Sequence, residues 1–280
     1  MHEMFAHCEA LVRSADKDRY LSALFAPAEH RSALYALYAF HIEVARIPDV
    51  VNEPLAGEVR LQWWSEAIYD QRPEETRGHP VANALTEVID QYRLPRRLFD
   101  ELLETRRAHL GRELFGSVDE LERYARGTSS TLIELATRVM GAAALDFVGP
   151  AGISMGVVSL LRNFASDAVR GRVTAPADLM IQNSVLPQDI LAGRTTVQII
   201  ALLGNLRDVA VRHYEEARVL IKREGQDAVA AWLPVATVPL DLRALRHAAS
   251  QPFAEIEVPR WRRQWAIWRA ARSGYPSTVR

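Results

Sequence analysis

Apolar positions follow helical spacing along almost the whole chain, and alternating, strand-like runs are nearly absent. Residues 27–47 open with a proline and an acid in the first turn and then present an apolar face. Residues 151–169 are nearly all apolar, which predicts a helix buried on all sides, and 195–223 is a long amphipathic helix closed by Gly225. The other predicted helices cover 54–68, 79–92, 95–110, 117–147, 226–232, 238–249 and 259–272. The pattern therefore predicts an all-α protein of about ten helices.

No repeat, low-complexity stretch or long linker interrupts this series of helices. The whole chain, residues 1–280, is therefore predicted to form a single domain, with the C-terminal helices at 226–272 completing the bundle. Pro48 is the main interruption inside a helical pattern, because proline lacks the amide hydrogen and its ring clashes with the carbonyl four residues earlier. It is expected either to kink the first long helix or to end it.

Charge and cysteine content exclude several classes of protein. The formal net charge is −1, so the chain lacks the basic field that nucleic-acid binding requires, and no nucleic-acid partner is predicted. One cysteine, Cys8, excludes an internal disulfide framework and a multi-cysteine zinc site. Residues 1–20 lack the basic and apolar regions of a secretory signal, and no stretch offers the roughly 20 uninterrupted apolar residues of a spanning helix. A soluble, cytoplasmic protein is expected.

Two pairs of polar side chains have the spacing of a helical face that could bind a metal ion. Asp49 and Glu53 are four residues apart, as are Asn163 and Asp167. The first pair shares a face only if Pro48 kinks the helix without ending it. Oxygen ligands of this kind suit Mg²⁺, which would bridge them to the phosphates of a substrate. A solvated helix surface is the alternative interpretation of both pairs.

Four arginines flank the two polar pairs. A guanidinium group offers a planar fork of donors that matches phosphate oxygens, so these arginines are candidates for binding a diphosphate. They are Arg46, Arg162, Arg170 and Arg172.

The sequence around both pairs resembles the squalene/phytoene synthase family. Residues 31–40 (RSALYALYAF) with Arg46, Asp49 and Glu53 resemble its first aspartate-rich motif, and residues 152–176 resemble its second. The match covers about 18–220. It implies an all-α isoprenoid-synthase fold around a central apolar cavity. It also implies Mg²⁺ as cofactor, prenyl diphosphates as ligands joined head to head, and Asp49 and Asp167 as candidate catalytic residues.

The sequence departs from the family pattern at several positions of these motifs. Val50 stands in place of the second of two adjacent aspartates, and Asn163 in place of the first aspartate of the second motif. Ser159 and Gly156 replace an Asn and a Gln, and His109 stands where an aspartate is often found. Each change removes a charge or a polar ligand, which weakens a site that holds several divalent cations.

Four segments are similar to one branch of that family, the mitochondrial complex I assembly factor and its bacterial relatives. They are residues 49–53 (DVVNE), 60–64 (RLQWW), 124–132 (YARGTSSTL) and 156–162 (GVVSLLR). The resemblance implies a role in assembling the respiratory NADH dehydrogenase, with subunits of that membrane-bound complex as partners and no need for prenyl transfer or metal. The alternative is an active, Mg²⁺-dependent transferase of the phytoene or squalene synthase type.

The last predicted helix, at 259–272, places Trp261, Trp265 and Trp268 on one stripe among arginines. A basic helix with an aromatic face is typical of a membrane interface or of a groove on a partner protein. Peripheral contact with the inner membrane through these tryptophans is one interpretation. The favoured alternative is that they cap the domain core, with the arginine stems packed alongside.

Overall fold

The computed structural model describes residues 2–51, 53–110, 115–143 and 145–279. Within these ranges the chain is all-α and contains no β-strand, which confirms the predicted fold class. The α-helices are α1 His2–Ala15, α2 Lys17–Ala23, α3 Ala28–Ala45, α4 Ile47–Val50, α5 Pro54–Ile68, α6 Pro73–Gly78, α7 Pro80–Gln91, α8 Arg96–Ala108, α9 Val118–Ala125, α10 Thr131–Val139, α11 Val148–Val169, α12 Ala177–Gln182, α13 Pro187–Leu191, α14 Val197–Glu224, α15 Val229–Trp232, α16 Val238–His247 and α17 Arg260–Ser273.

Short polar side chains and glycine set several helix ends. The side chains of Ser117 and Thr196 accept hydrogen bonds of 3.2 Å from the backbone amides of Glu120 and Ile199, so they cap α9 and α14. Helix α17 ends at Ser273 and is followed by Gly274, whose φ of +77° is left-handed and favours glycine. These local signals explain why the predicted helix boundaries at 195–223 and 259–272 lie close to the observed ones.

One predicted helix is interrupted. The stretch 117–147 forms α9, a π-helical turn at Arg126–Ser130 and α10, and the helix then ends at Val139. Gly141 follows with a φ of +81° and turns the chain away from the helix axis. Five-residue hydrogen-bonded turns of this kind occur mostly as local bulges inside α-helices. The predicted helix is therefore present from Val118 to Val139 with a π-helical turn inside it, and its predicted end at 147 was wrong.

Helix α11 lies at the centre of the bundle, where it packs chiefly against α14 and the π-helical turn. Small residues make this contact close: a Cβ added to Gly152 would lie 2.2 Å from the backbone nitrogen of Ser130, and one on Gly156 would lie 2.6 Å from the Cβ of Ala125. Helix α3 is buried between α1, α7 and α10. The prediction of a buried helix at 151–169 is confirmed for its first half, whereas the second half exposes one side that includes Ser159, Asn163 and Ser166.

A cavity of about 970 Å³ lies between these central helices, the N-terminal residues 14–21 and the C-terminal residues 255–264. Residues of α2, α3, α11 and α17 contribute to its wall, because α17 packs against α2. The lining combines apolar side chains such as Leu160 and Val238 with charged ones such as Arg19 and Arg263. The cavity is thus only partly apolar, which corrects the expectation of an apolar cavity.

One stretch, Val197–His247, contains a window that is long and apolar enough to cross a membrane by composition alone. In the folded chain 72% of that window is buried, as in the core helices of many globular proteins.

Candidate functional site

The first polar pair does not share a helical face. Helix α3 ends at Ala45, and Pro48 lies in the first turn of the separate four-residue helix α4, which ends at Val50. Val51 and Glu53 have extended backbones, and Glu53 precedes α5 with its side chain exposed. The condition that Pro48 kinks the helix without ending it was therefore wrong. Asp49 lines the cavity, whereas Glu53 does not.

The second polar pair lies on one face of α11, as its spacing predicts. Asn163 and Asp167 both line the cavity. Asn163 is exposed to the cavity and makes no side-chain hydrogen bond within the part of the chain described, whereas the side chain of Asp167 is only 11% exposed. The fold brings together Asp49, Asn163 and Asp167 at one rim of the cavity and leaves Glu53 outside it.

A guanidinium group joins the two aspartates. Arg172 donates to the Oδ1 of Asp49 at 2.9 Å and to the Oδ1 of Asp167 at 2.6 Å. Arg170 adds a longer contact of 3.5 Å to Asp49. The loop after α11 makes this possible, because Gly171 has a φ of +78° and the amide of Arg172 donates to the carbonyl of Asp167 at 2.8 Å.

The charges in this cluster balance one another. Partial burial alone would lower the pKa of Arg172, but its hydrogen bonds to Asp167 and Asp49 outweigh that effect and raise the pKa. A hard divalent cation needs free carboxylate oxygens, and here one guanidinium holds an oxygen of each carboxylate. The described residues contain no group of three or more His, Cys, Asp or Glu side chains able to hold a metal. This arrangement of donors does not fit a magnesium cluster.

The four arginines predicted to bind a diphosphate lie in different settings. Arg170 and Arg172 are engaged with the aspartates. Arg162 lines the cavity and lies 3.7 Å from Asp241, whereas Arg46 is exposed and outside the cavity lining. The arginines predicted from the motifs therefore do not form one anion-binding cluster.

A second charged network in the cavity wall was not predicted. Arg263 of α17 donates to Asp18 at 2.8 and 2.5 Å, to Asp241 at 2.7 Å and to Thr237 at 3.2 Å. Burial alone would lower the pKa of the Arg263 guanidinium, but its bonds to Asp18 and Asp241 outweigh burial and raise it. Arg263 and Asp18 are 245 positions apart, so no local pattern could have linked them.

The inner end of the cavity holds a neutral histidine between two arginines. Burial, together with the charges of Arg19 and Arg106, lowers the pKa of His41 well below its usual value. The Nδ1 atom of His41 has no hydrogen-bond partner among the described residues, although His41 lines the cavity. A ligand with a hydrogen-bonding group could satisfy this nitrogen. A lone histidine on an apolar helix gave no sequence signal for this role.

An aromatic group forms another part of the wall. The ring of His109 lies 4.7 Å from that of Tyr124 and 5.1 Å from that of Phe115. Arg106 donates to the Tyr124 hydroxyl and lies over its ring at 5.4 Å. His109 thus takes part in an aromatic contact where the family often has an aspartate, and it interacts with Glu120 at 3.3 Å.

Away from the cavity, Glu43 lies half-buried beside Cys8, Arg46 and His79. Its carboxylate is 3.4 Å from the Nε2 of His79. Burial raises the pKa of Glu43 to about 7, although the charge of Arg46 works in the opposite direction. Burial, with the Glu43 charge, also raises the pKa of the Cys8 thiol to about 12, and burial lowers the pKa of His79.

Replacing Glu43 with glutamine is expected to stabilise the protein by about 2 kcal/mol at about pH 8 and to have little effect near pH 4.5. The carboxyl binds its proton more tightly in the folded chain, with a pKa of about 7 against 4.5, so wild-type stability falls as pH rises through that window. Glutamine does not ionise, so the variant does not lose stability in this pH range. Urea unfolding at both pH values measures the difference, with the exposed Glu58→Gln as control. An equal effect of Glu43→Gln at both pH values would contradict the assignment.

Comparison with known proteins places these features in context. The chain is 29% identical over 230 residues to NADH dehydrogenase (ubiquinone) complex I, assembly factor 6 of Homo sapiens, covering 81% of this chain and 69% of that protein. It is 26% identical over 206 residues to the chloroplastic phytoene synthase 1 of Arabidopsis thaliana, covering 69% and 48%. The crystal structure of squalene synthase HpnC from Alicyclobacillus acidocaldarius has a TM-score of 0.75 at 22% identity, covering 89% of this chain and 95% of that one.

The helical bundle, with a cavity and two aspartates at its rim, defines an all-α protein of the isoprenoid-synthase class. The sequence profile of squalene/phytoene synthase matches residues 12–269. This chain belongs to the squalene/phytoene synthase family. The resemblance inferred from the two motif regions is confirmed, and the match extends beyond 18–220 into the C-terminal helices.

Proposed function

We propose that this protein is an atypical member of its family that acts in the assembly of respiratory complex I and does not transfer prenyl groups. The observation that carries the proposal is the position of Arg172 between Asp49 and Asp167. The guanidinium binds one oxygen of each carboxylate and offsets part of their charge, so fewer free acidic oxygens are left for a metal–diphosphate complex. The relatives named as complex I assembly factors support the same conclusion.

The cavity supports a finer part of the proposal, the binding of a prenyl diphosphate or a related isoprenoid without turnover. Its volume of about 970 Å³ is at the upper end of the range for small-molecule sites. Apolar residues such as Met155 and Leu160 would contact the hydrocarbon chain of the ligand, and Arg162 would bind its diphosphate group. In this role the protein works beside the inner membrane, next to the subunits that it helps to assemble.

The alternative is an active, Mg²⁺-dependent enzyme of the phytoene or squalene synthase type. One observation favours it: Asp49 and Asp167 converge on the same cavity rim although 118 positions separate them in the chain. If Arg172 moved away when substrate arrived, the two carboxylates would face the cavity. The relative named phytoene synthase 1 is consistent with this second candidate.

The two candidates differ in a combined genetic and biochemical test. We expect deletion of the gene to lower NADH dehydrogenase activity of the membranes, and an Asp49→Asn/Asp167→Asn variant to restore it as well as the wild type does. Asparagine keeps an oxygen that accepts hydrogen bonds from Arg172 while removing the charge a metal would need. We also expect purified protein with Mg²⁺ and farnesyl or geranylgeranyl diphosphate to release no pyrophosphate above the blank.

Pyrophosphate release that the Asp49→Asn/Asp167→Asn variant abolishes would establish the alternative instead. Deletion without any effect on NADH dehydrogenase activity would refute the assembly role. An exposed pair, Asp146→Asn/Asp70→Asn, is the matched control, since it removes the same charges outside the cavity lining. Thermal unfolding of each variant separates loss of function from loss of fold.

A further inference from the structure

The three tryptophans of α17 are on the surface. Trp261, Trp265 and Trp268 are 64%, 53% and 47% exposed, and we refer to these three residues as the tryptophan face. The core side of the helix is formed by other residues, chiefly Ala266, Ile267 and Ala270. The favoured prediction that the tryptophans cap the core was therefore wrong. Exposing a large aromatic side chain to water is energetically unfavourable, so a row of three exposed tryptophans requires an explanation.

An arginine side chain lies over each of the three exposed indole rings. The guanidinium of Arg262 lies 5.3 Å from the Trp261 ring centre, that of Arg269 lies 4.8 Å from Trp265, and that of Arg272 lies 5.2 Å from Trp268. Helix α17 contains five arginines and no acidic residue, although the whole chain has a net charge of −1. Three of these arginines therefore place positive charge at the tryptophan face, whereas Arg260 lines the cavity and Arg263 is paired with two aspartates.

The chemistry of this face fits the head-group region of a membrane. Indole rings favour the boundary between water and lipid because they combine a large apolar surface with one polar N–H group. Guanidinium groups bind phosphate oxygens through paired donors, and a basic helix is attracted to an anionic lipid surface. We propose that the tryptophan face docks on the surface of an anionic lipid bilayer, with α17 lying parallel to the membrane plane.

The rest of the fold holds this helix in one orientation. On the opposite side of α17 from the tryptophan face, Arg263 is bound to Asp18 and Asp241. The face is thus presented by a fixed element, which reduces the entropy lost on docking. The start of α17 also lines the cavity, through Arg260 and Gln264, so the docked membrane would lie next to one wall of the cavity.

Vesicle sedimentation tests the proposal on the intact protein. We expect wild-type protein to bind vesicles of phosphatidylcholine with about 30 mol% phosphatidylglycerol, and to bind pure phosphatidylcholine much more weakly. The Trp261→Ser/Trp265→Ser/Trp268→Ser variant should lose about tenfold or more in binding to the anionic vesicles. Added salt at about 0.5 M should weaken wild-type binding, because it screens the arginines. Wild-type tryptophan fluorescence should shift to the blue on binding.

A matched control replaces three exposed apolar residues elsewhere by serine: Ile181, Val197 and Val219, which are 79%, 74% and 61% exposed. This control should bind anionic vesicles like the wild type, and circular dichroism and thermal unfolding check that both variants fold. The proposal is wrong if wild-type protein does not bind the anionic vesicles, or if the tryptophan variant binds as well as the control. Retention of a protein partner through this face without any vesicle binding would also refute it, in favour of a protein interface.

Discussion

Replacing Arg263 with methionine is expected to lower the free energy of unfolding by about 3–5 kcal/mol. The guanidinium holds Asp18 and Asp241, and the side chain of Asp241 is only 4% exposed. Without the arginine, two largely buried carboxylates lose the positive charge that they share, and Arg162, 3.7 Å from Asp241, is a more distant replacement. The contact also joins α17 to α2, so its loss weakens the connection between the two ends of the chain.

Chemical unfolding with urea measures this effect, and the adjacent residue supplies a matched control. Arg262 is exposed and stacked on Trp261, so Arg262→Met should change stability by no more than about 0.5 kcal/mol. Adding Asp18→Asn and Asp241→Asn to the Arg263→Met protein should recover part of the loss, because the unpaired charges are removed. A loss below about 1 kcal/mol for Arg263→Met would show that the network adds little to stability. No recovery with the two asparagines would show that unpaired carboxylates are not the cause of the loss.

Replacing Gly152 with alanine is expected to destabilise the protein by about 3 kcal/mol or more. A Cβ at this position would lie 2.2 Å from the backbone nitrogen of Ser130 and 2.3 Å from its Cα. Backbone atoms cannot rotate aside as a side chain can, so α11 must move away from the π-helical turn. That movement opens the contact between the central helix and the turn and weakens packing on both sides.

A second glycine in a central helix tests whether the close approach is the cause. A Cβ on Gly204 of α14 would meet only the end of the Arg207 side chain, at 3.8 Å. Since alanine is the better helix former by about 1 kcal/mol, Gly204→Ala should stabilise the protein by up to that amount. Thermal and urea unfolding of the two variants should therefore give changes of opposite sign. If Gly152→Ala were also neutral or stabilising, the packing of α11 on the π-helical turn would not be as close as described.

The two aspartates and their arginines show how far motif recognition reaches. The family motifs identified Asp49 and Asp167 as the residues at the cavity, and Val50 and Asn163 as positions where carboxylates are missing. They did not indicate that Arg172 lies between the two aspartates. The structure also separates Glu53 from the group, because the short helix α4 ends before it. A motif identifies residues by their positions in the sequence. The charge around the two aspartates depends instead on which arginines the fold places beside them.

Helical class, most helix positions and family membership could be predicted from the sequence alone, because each rests on local information. Apolar spacing gave the helices at 151–169 and 195–223, and glycine, proline and capping residues set their ends. The π-helical turn inside 117–147 was missed, since such a turn replaces one hydrogen-bond pattern with another without any proline.

Only the tertiary structure decided which residues meet across the chain and which remain on the surface. Arg263 and the three tryptophans lie on the same helix, yet Arg263 is buried against Asp18 and Asp241 and the tryptophans face solvent. Helical spacing places side chains on faces but does not state which face another element covers. That choice depends on the packing of the whole bundle, in which α2, the 3₁₀ turn Leu233–Thr237 and α17 meet. The sequence by itself thus determined the helices and the motif aspartates, and the packing determined the buried ion pairs and the exposed tryptophan face.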